Sequence, residues 1–142
     1  MSAAPRPQRS VRRAGDAAAI SVSSVPSTLE AGSELNVSVN LRNVGTRGWS
    51  SDDAQPVRLL VRWYDVTAGR RSRWEIKWLR ADVAPGGATQ LSADITVPPR
   101  AGRFVLYLSL VRLNGSRYEA PSTDTGRDEN EFGTVSYRVT VQ

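Results

Sequence analysis

Residues 34–42 read ELNVSVNLR, and Leu35, Val37, Val39 and Leu41 alternate there with polar neighbours. A period of two puts every apolar side chain on one face of an extended chain, so this stretch predicts a half-buried β-strand. The same alternation recurs on both sides of it. Ile20, Val22 and Val25 precede it, and Val57, Leu59, Val61 and Trp63 follow. Then come Trp74, Ile76 and Trp78; Leu91, Ala93, Ile95 and Val97; Phe104, Leu106, Leu108 and Leu110; and Val135, Tyr137, Val139 and Val141. Prolines 26, 56, 85, 98, 99 and 121 and almost every glycine fall between these seven runs or at their ends. A missing donor or a positive φ is tolerated at such places. The spacing of Trp74 and Trp78 would also suit a helix, but Ile76 would then lie on the far side, so the strand reading holds and turns all three toward the core. The pattern predicts an all-β antiparallel sandwich of about seven strands.

Composition removes whole classes of chemistry. The 142 residues hold 19 Lys+Arg against 14 Asp+Glu, with no His and no Cys. Catalytic sites that need histidine or cysteine, zinc centres built on them, disulfides and a histidine pH switch are therefore excluded. Paired carboxylates survive the cut, but glycosidase-type chemistry needs two acids in a cleft, and the acids here fall in turns or at alternating solvent positions. The reading is of a protein that is not an enzyme and carries no cofactor. The length suits one domain, which buries roughly 70% of its unfolded surface. The N-terminus has dispersed arginines and prolines and no apolar stretch of signal-peptide length, and no run approaches a membrane span. The expectation is a chain without a secretion signal, cytoplasmic when made, with no membrane partner.

Residues 1–18 carry Arg6, Arg9, Arg12 and Arg13 against Asp16 alone, a net of +3, with prolines and small residues between. Too little apolar surface is available there to offset the entropy of ordering. The domain reading is a basic arm over 1–18 and a sandwich over 19–142, the arm's arginines being candidates for bidentate pairing with an acidic partner. Within the sandwich, residues 58–80 hold seven cations against two acids, a net of +5, and residues 119–131 hold five acids against Arg127, a net of −4. Arg58, Arg62, Arg71, Arg73 and Lys77 on one side, and Asp124, Asp128, Glu129 and Glu131 on the other, are candidate interface patches. Opposite charges would let copies of the chain meet head to tail as a homo-oligomer. Nucleic-acid binding is the less favoured reading, because the tryptophans are expected inside, leaving only Tyr64 to stack on a base. The acidic stretch offers oxygen ligands for calcium, but without EF-hand spacing.

Several landmarks carry a resemblance. LRNVGTRGW, with Asn43, Gly45 and Trp49, looks like the corner after the second strand of Ig-like modules that accompany bacterial glycosyltransferases and surface proteins. These modules are similar to the four-tryptophan Ig-like domain of selective-autophagy receptors. VRWYD at 61–65, VAPGGATQL at 83–91 and VPPRAGRFVLYLSLV at 97–111 continue the likeness. It implies an Ig-like sandwich that acts as a non-catalytic spacer or binding domain. By size and chemistry Trp49 reads as a plug at the end of the core, with Asn43 capping the corner.

Two functional expectations follow. The first is a structural subunit, of the virion accessory or capsid-decoration type, that docks onto a larger protein assembly such as a capsid lattice through its basic arm. Its rival is a carbohydrate- or protein-binding accessory module of a bacterial surface or glycan-processing protein, which requires an aromatic platform on the sandwich surface.

Overall fold

The computed structural model describes residues 15–50, 56–113 and 131–142. Nine strands form: β1 (Ala18–Val22), β2 (Thr28–Leu29), β3 (Glu34–Asn43), β4 (Val57–Asp65), β5 (Arg70–Arg71), β6 (Glu75–Trp78), β7 (Ala88–Thr96), β8 (Gly102–Arg112) and β9 (Glu131–Val141). One sheet has the order β1-β3-β7, and the other β2-β9-β8-β4-β5 with β6 also on β4. All pairings are antiparallel except that of β2 with β9. The seven alternating runs are β1, β3, β4, β6, β7, β8 and β9; β2 and β5 are two-residue pairings too short to leave a periodic signal. An all-β Ig-like sandwich is what forms.

The core lies where the alternation puts it. Leu35, Val37, Val39 and Leu41 of β3 and Leu91, Ala93 and Ile95 of β7 face Leu59, Val61 and Trp63 of β4, with Leu106, Leu108 and Leu110 of β8 beside them, all buried. Strict alternation fails on β4, whose Val57–Trp63 are all buried. Leu60 belongs to a second, smaller cluster with Val111 and Leu113 on the outer face, against which Trp74 packs. A register shift beside Leu110 and Val111 makes Phe132 an extra residue of β9; such a bulge re-aims a side chain, and Phe132 is fully buried with its ring 5.7 Å from that of Trp49.

The end of the sandwich that holds Trp49 is built on backbone contacts. Asn43 is fully buried; its Nδ2 donates to the carbonyls of Arg47 (2.8 Å) and Val83 (3.3 Å), and its Oδ1 accepts the Gly45 N–H. Trp49 bridges to Val83 and is buried, as its reading as a plug requires.

Residues 15–18, assigned to the arm from sequence, belong to the sandwich. Ala17 and Ala18 are buried, the carbonyl of Ala17 accepts the Val44 N–H, and that of Gly15 accepts the Thr46 N–H. Asp16 is buried against Arg112: Nε donates to Oδ2 at 2.8 Å and Nη2 to Oδ1 at 2.7 Å, while Nη2 also donates to the Gly48 carbonyl. A low apolar content hid this, because the segment is held by one ion pair and by main-chain bonds. The arm's arginines, Arg6, Arg9, Arg12 and Arg13, lie outside the described residues.

Tyr137 ties the two sheets together, its hydroxyl oxygen accepting the Val22 N–H at 3.1 Å. Burial raises its phenol pKa above the ordinary 10, and the bond from Val22 pulls it part of the way back. A raised acid is protected in the fold, so its contribution is complete below pH 10 and is lost as pH rises through the folded value. Tyr137→Phe strips Val22 of its acceptor and is expected to cost about 1 kcal/mol at pH 8. In urea melts the gap between wild type and variant should shrink above pH 10; a gap constant with pH would contradict the assignment.

Candidate functional site

The flank formed by β4, β5 and β6 carries the densest chemistry in the described residues. β6 pairs with β4 in the register Arg58↔Trp78, Leu59↔Lys77, Leu60↔Ile76 and Val61↔Glu75. Cross-strand partners share a face, so Ile76 and Trp78 join Arg58 and Leu60 on the outer face. This overturns the expected orientation, in which Trp74, Ile76 and Trp78 pointed to the core. The physical reason is that β6 is a short strand at the sandwich edge. Its inward-facing positions meet the open seam between the sheets, where Lys77 reaches across to donate to the Asp94 carbonyl at 2.7 Å and lies 3.8 Å from Glu75.

Arg58 and Arg62, expected on an open basic face, are also corrected: they are 4% and 5% exposed. Their guanidinium carbons sit 3.6 Å from the Trp78 ring centroid and 4.0 Å from that of Trp74. An indole laid over each cation attracts it and shields it from water, and Arg58 Nη1 also donates to the Val57 carbonyl at 3.1 Å. Ile76 and Trp78 nevertheless remain 39% and 65% exposed. Trp78 is therefore a flat aromatic face backed by Arg58 and open on its other side. From Trp74 to Trp78 the strand rises about 13 Å.

Beside this stripe the chain forms a cleft of about 460 Å³. Trp63 and Phe104, in edge-to-face contact at 6.2 Å, contribute to its apolar lining, and Trp74 forms one side. The Trp63 indole N–H is engaged with the Thr96 carbonyl at 2.9 Å, whereas the buried Trp74 Nε1 has no hydrogen-bond partner among the described residues. Arg70, Arg71, Arg73 and Arg100 stand around it. Arg71 lies over Tyr64 with 5.6 Å between guanidinium carbon and ring centroid, and Arg100 pairs with Asp65 at 3.3 Å. Arg71 and Arg73 are exposed as expected; Arg70 and Arg100 were not singled out from sequence, because only the fold brings residues 70–75 beside 96–100.

Of the acidic patch, Asp124, Asp128 and Glu129 lie outside the described residues, as does most of the stretch weighed for calcium. Glu131 is the first residue of β9, paired with Val111 and buried, rather than part of an open acidic loop. Among the described residues no group of three carboxylates stands where it could hold a metal ion, and no helix is long and apolar enough to cross a membrane.

No family model matches the chain, and no curated protein matches it in sequence. Solved structures do match. The C-terminal domain of Wzt superposes with a TM-score of 0.61 at 10% identity, over 95% of this chain and 77% of that domain. A β-glucosidase from Listeria innocua, in complex with isofagomine, matches with a TM-score of 0.49 at 18% identity, over 89% of this chain and 16% of the enzyme. The CARDB domain of PF1109 from Pyrococcus furiosus gives 0.48 at 14% identity, over 89% of this chain and 96% of that domain. At such identities the Wzt likeness extends to the fold, an Ig-like β-sandwich. The four-tryptophan autophagy domain remains a resemblance of sequence motif.

Proposed function

We propose that the protein is a non-catalytic accessory module that binds carbohydrate along the β6 edge. One observation carries this: Trp78 presents an open aromatic face on the sandwich surface, held flat by the Arg58 guanidinium. The electron-rich face of an indole attracts the polarised C–H bonds on one side of a sugar ring. A ring already fixed by its backing loses little freedom on contact. The size of the patch separates sugar from protein as ligand. A stable protein interface covers about 800 Å² per partner with an apolar centre. The exposed large apolar side chains here are Ile76 and Trp78, with Val44 and Val66 elsewhere on the described surface. Two side chains match one or two sugar rings.

Docking onto a virion or other assembly through the basic arm is the other reading. It draws on Arg6, Arg9, Arg12 and Arg13, which lie outside the described residues. The head-to-tail scheme is weakened, since Arg58 and Arg62 are enclosed.

Affinity electrophoresis through gels holding laminarin, dextran, xylan, galactomannan, alginate, polygalacturonate or hyaluronan tests the proposal. At least one polysaccharide should retard the protein, and Trp78→Ala should weaken that retardation at least tenfold with little change in melting temperature. Migration unaffected by all seven, or retardation indifferent to Trp78→Ala, would reject it.

A further inference from the structure

We infer that the arginine-lined cleft is a subsite for a carboxylate-bearing sugar, so that the glycan this module takes is acidic; the inference rests on the carbohydrate reading above. The charge inventory of the cleft is the first ground. Asp65 and Glu75 are its two carboxylates, set among four guanidinium groups. Asp65 is already engaged, with Oδ1 accepting the N–H groups of Thr67 and Ala68 and Oδ2 facing Arg100. Glu75 lies beside Lys77. Arg70 and Arg73 have no acidic partner among the described residues, and both are exposed at the mouth. Among the described residues, two guanidinium groups therefore remain to meet a ligand, and their planar forks match a carboxylate in bidentate fashion.

The shape of the cleft is the second ground. Half-buried Trp74 and Pro98 and exposed Pro99 offer carbon surface, with Trp63 and Phe104 contributing only buried edges beside them, and the Trp63 donor is occupied by Thr96. A ligand placed against them must present an apolar face there and its charge at the rim. A uronic acid ring does both, with the C–H side of the ring against the aromatic lining and the carboxylate directed to the arginines. Trp74 forms part of the cleft and also begins the stripe that ends at Trp78. One oligosaccharide can therefore occupy both.

The test must separate a site from diffuse attraction, since the chain carries a net charge of +5. Binding is measured for polygalacturonate, alginate and hyaluronan, for carboxyl-reduced polygalacturonate, for the neutral polysaccharides above and for a dodecamer of thymidylate. Four proteins are compared: wild type, Trp78→Ala, Arg70→Gln/Arg73→Gln and the control Arg42→Gln/Arg138→Gln, which removes the same charge from exposed positions outside the cleft. The wild type should bind at least one of the three acidic polysaccharides. Arg70→Gln/Arg73→Gln should weaken that binding at least tenfold, the loss of about one charge-assisted contact, while the control stays within twofold. If polygalacturonate is a ligand, carboxyl reduction should abolish the difference between the two double variants.

Equal losses in the two double variants would overturn the inference in favour of diffuse charge. Binding to neutral polysaccharides that needs Trp78 and ignores Arg70 and Arg73 would overturn it and leave the carbohydrate reading standing. Tighter binding to thymidylate than to any polysaccharide would overturn both in favour of a nucleic-acid site. No binding to any probe would also overturn both.

Discussion

Asp16→Ala should lower the unfolding free energy by about 3–5 kcal/mol, the cost of stranding one member of a buried ion pair. Asp16 and Arg112 are 4% and 9% exposed, and the carboxylate takes two donors from the guanidinium at 2.8 and 2.7 Å. The variant keeps the Arg112 bond to the Gly48 carbonyl and loses both carboxylate contacts. At about 3 °C per kcal/mol for a chain of this size, the melting temperature should fall by about 10–15 °C. The same bond changes what a terminal deletion does. From sequence, removing residues 2–18 is expected to leave the melting temperature nearly unchanged. Because that deletion takes away Asp16, buried Ala17 and the first residue of β1, it should instead destabilise at least as much as Asp16→Ala. A urea melt that places Asp16→Ala within 1 kcal/mol of wild type would show that the pair contributes little to the fold.

Alternation made the fold legible, and the same rule misplaced the site. Leu35 to Leu41, Leu91 to Val97 and Phe104 to Leu110 lie on strands flanked on both sides or facing a complete second sheet, so that apolar means inward. β6 pairs with β4 alone on its inner side. There the rule inverts: Glu75 and Lys77 face the seam between the sheets, and the tryptophans turn outward to cover Arg58 and Arg62. A signal was present in the sequence. Arg58 and Arg62 are four residues apart, as are Trp74 and Trp78, so an antiparallel pairing that stacks one arginine on one tryptophan stacks the other pair too. The Asp16–Arg112 bond had no such signal, since its partners are 96 residues apart and Asp16 stands in a segment whose composition reads as an arm. The cleft likewise depends on the turn after β4 meeting the connection between β7 and β8, a long-range juxtaposition without local pattern.

Gly45→Ala should destabilise by about 3 kcal/mol, at the upper end for overpacking, and the reason is close approach rather than backbone conformation. Gly45 is not among the glycines with positive φ. A Cβ there would collide with the Gly15 carbonyl oxygen and come within 2.7 Å of the Ala17 nitrogen. Because both obstacles are backbone, residues 15–17 must move away as a unit. Their movement breaks the bonds from Thr46 to Gly15 and from Val44 to Ala17, and it draws Asp16 away from Arg112. The two substitutions therefore act on one contact, and their effects should not add. In a double-mutant cycle, Asp16→Ala placed on Gly45→Ala should cost at least 1.5 kcal/mol less than it does alone, within the range found for residues that share partners. Strict additivity would show that the segment yields to the methyl group without releasing the ion pair. The proposed polysaccharide binding in the cleft gives an internal control. Arg112 pairs with Val57 at one end of β4, whereas the cleft lies at the other, beside Asp65, about 26 Å along the strand. Below their melting temperatures both variants should bind as the wild type does, since the lining of the cleft by Trp63 and Phe104 does not depend on where residues 15–17 are anchored.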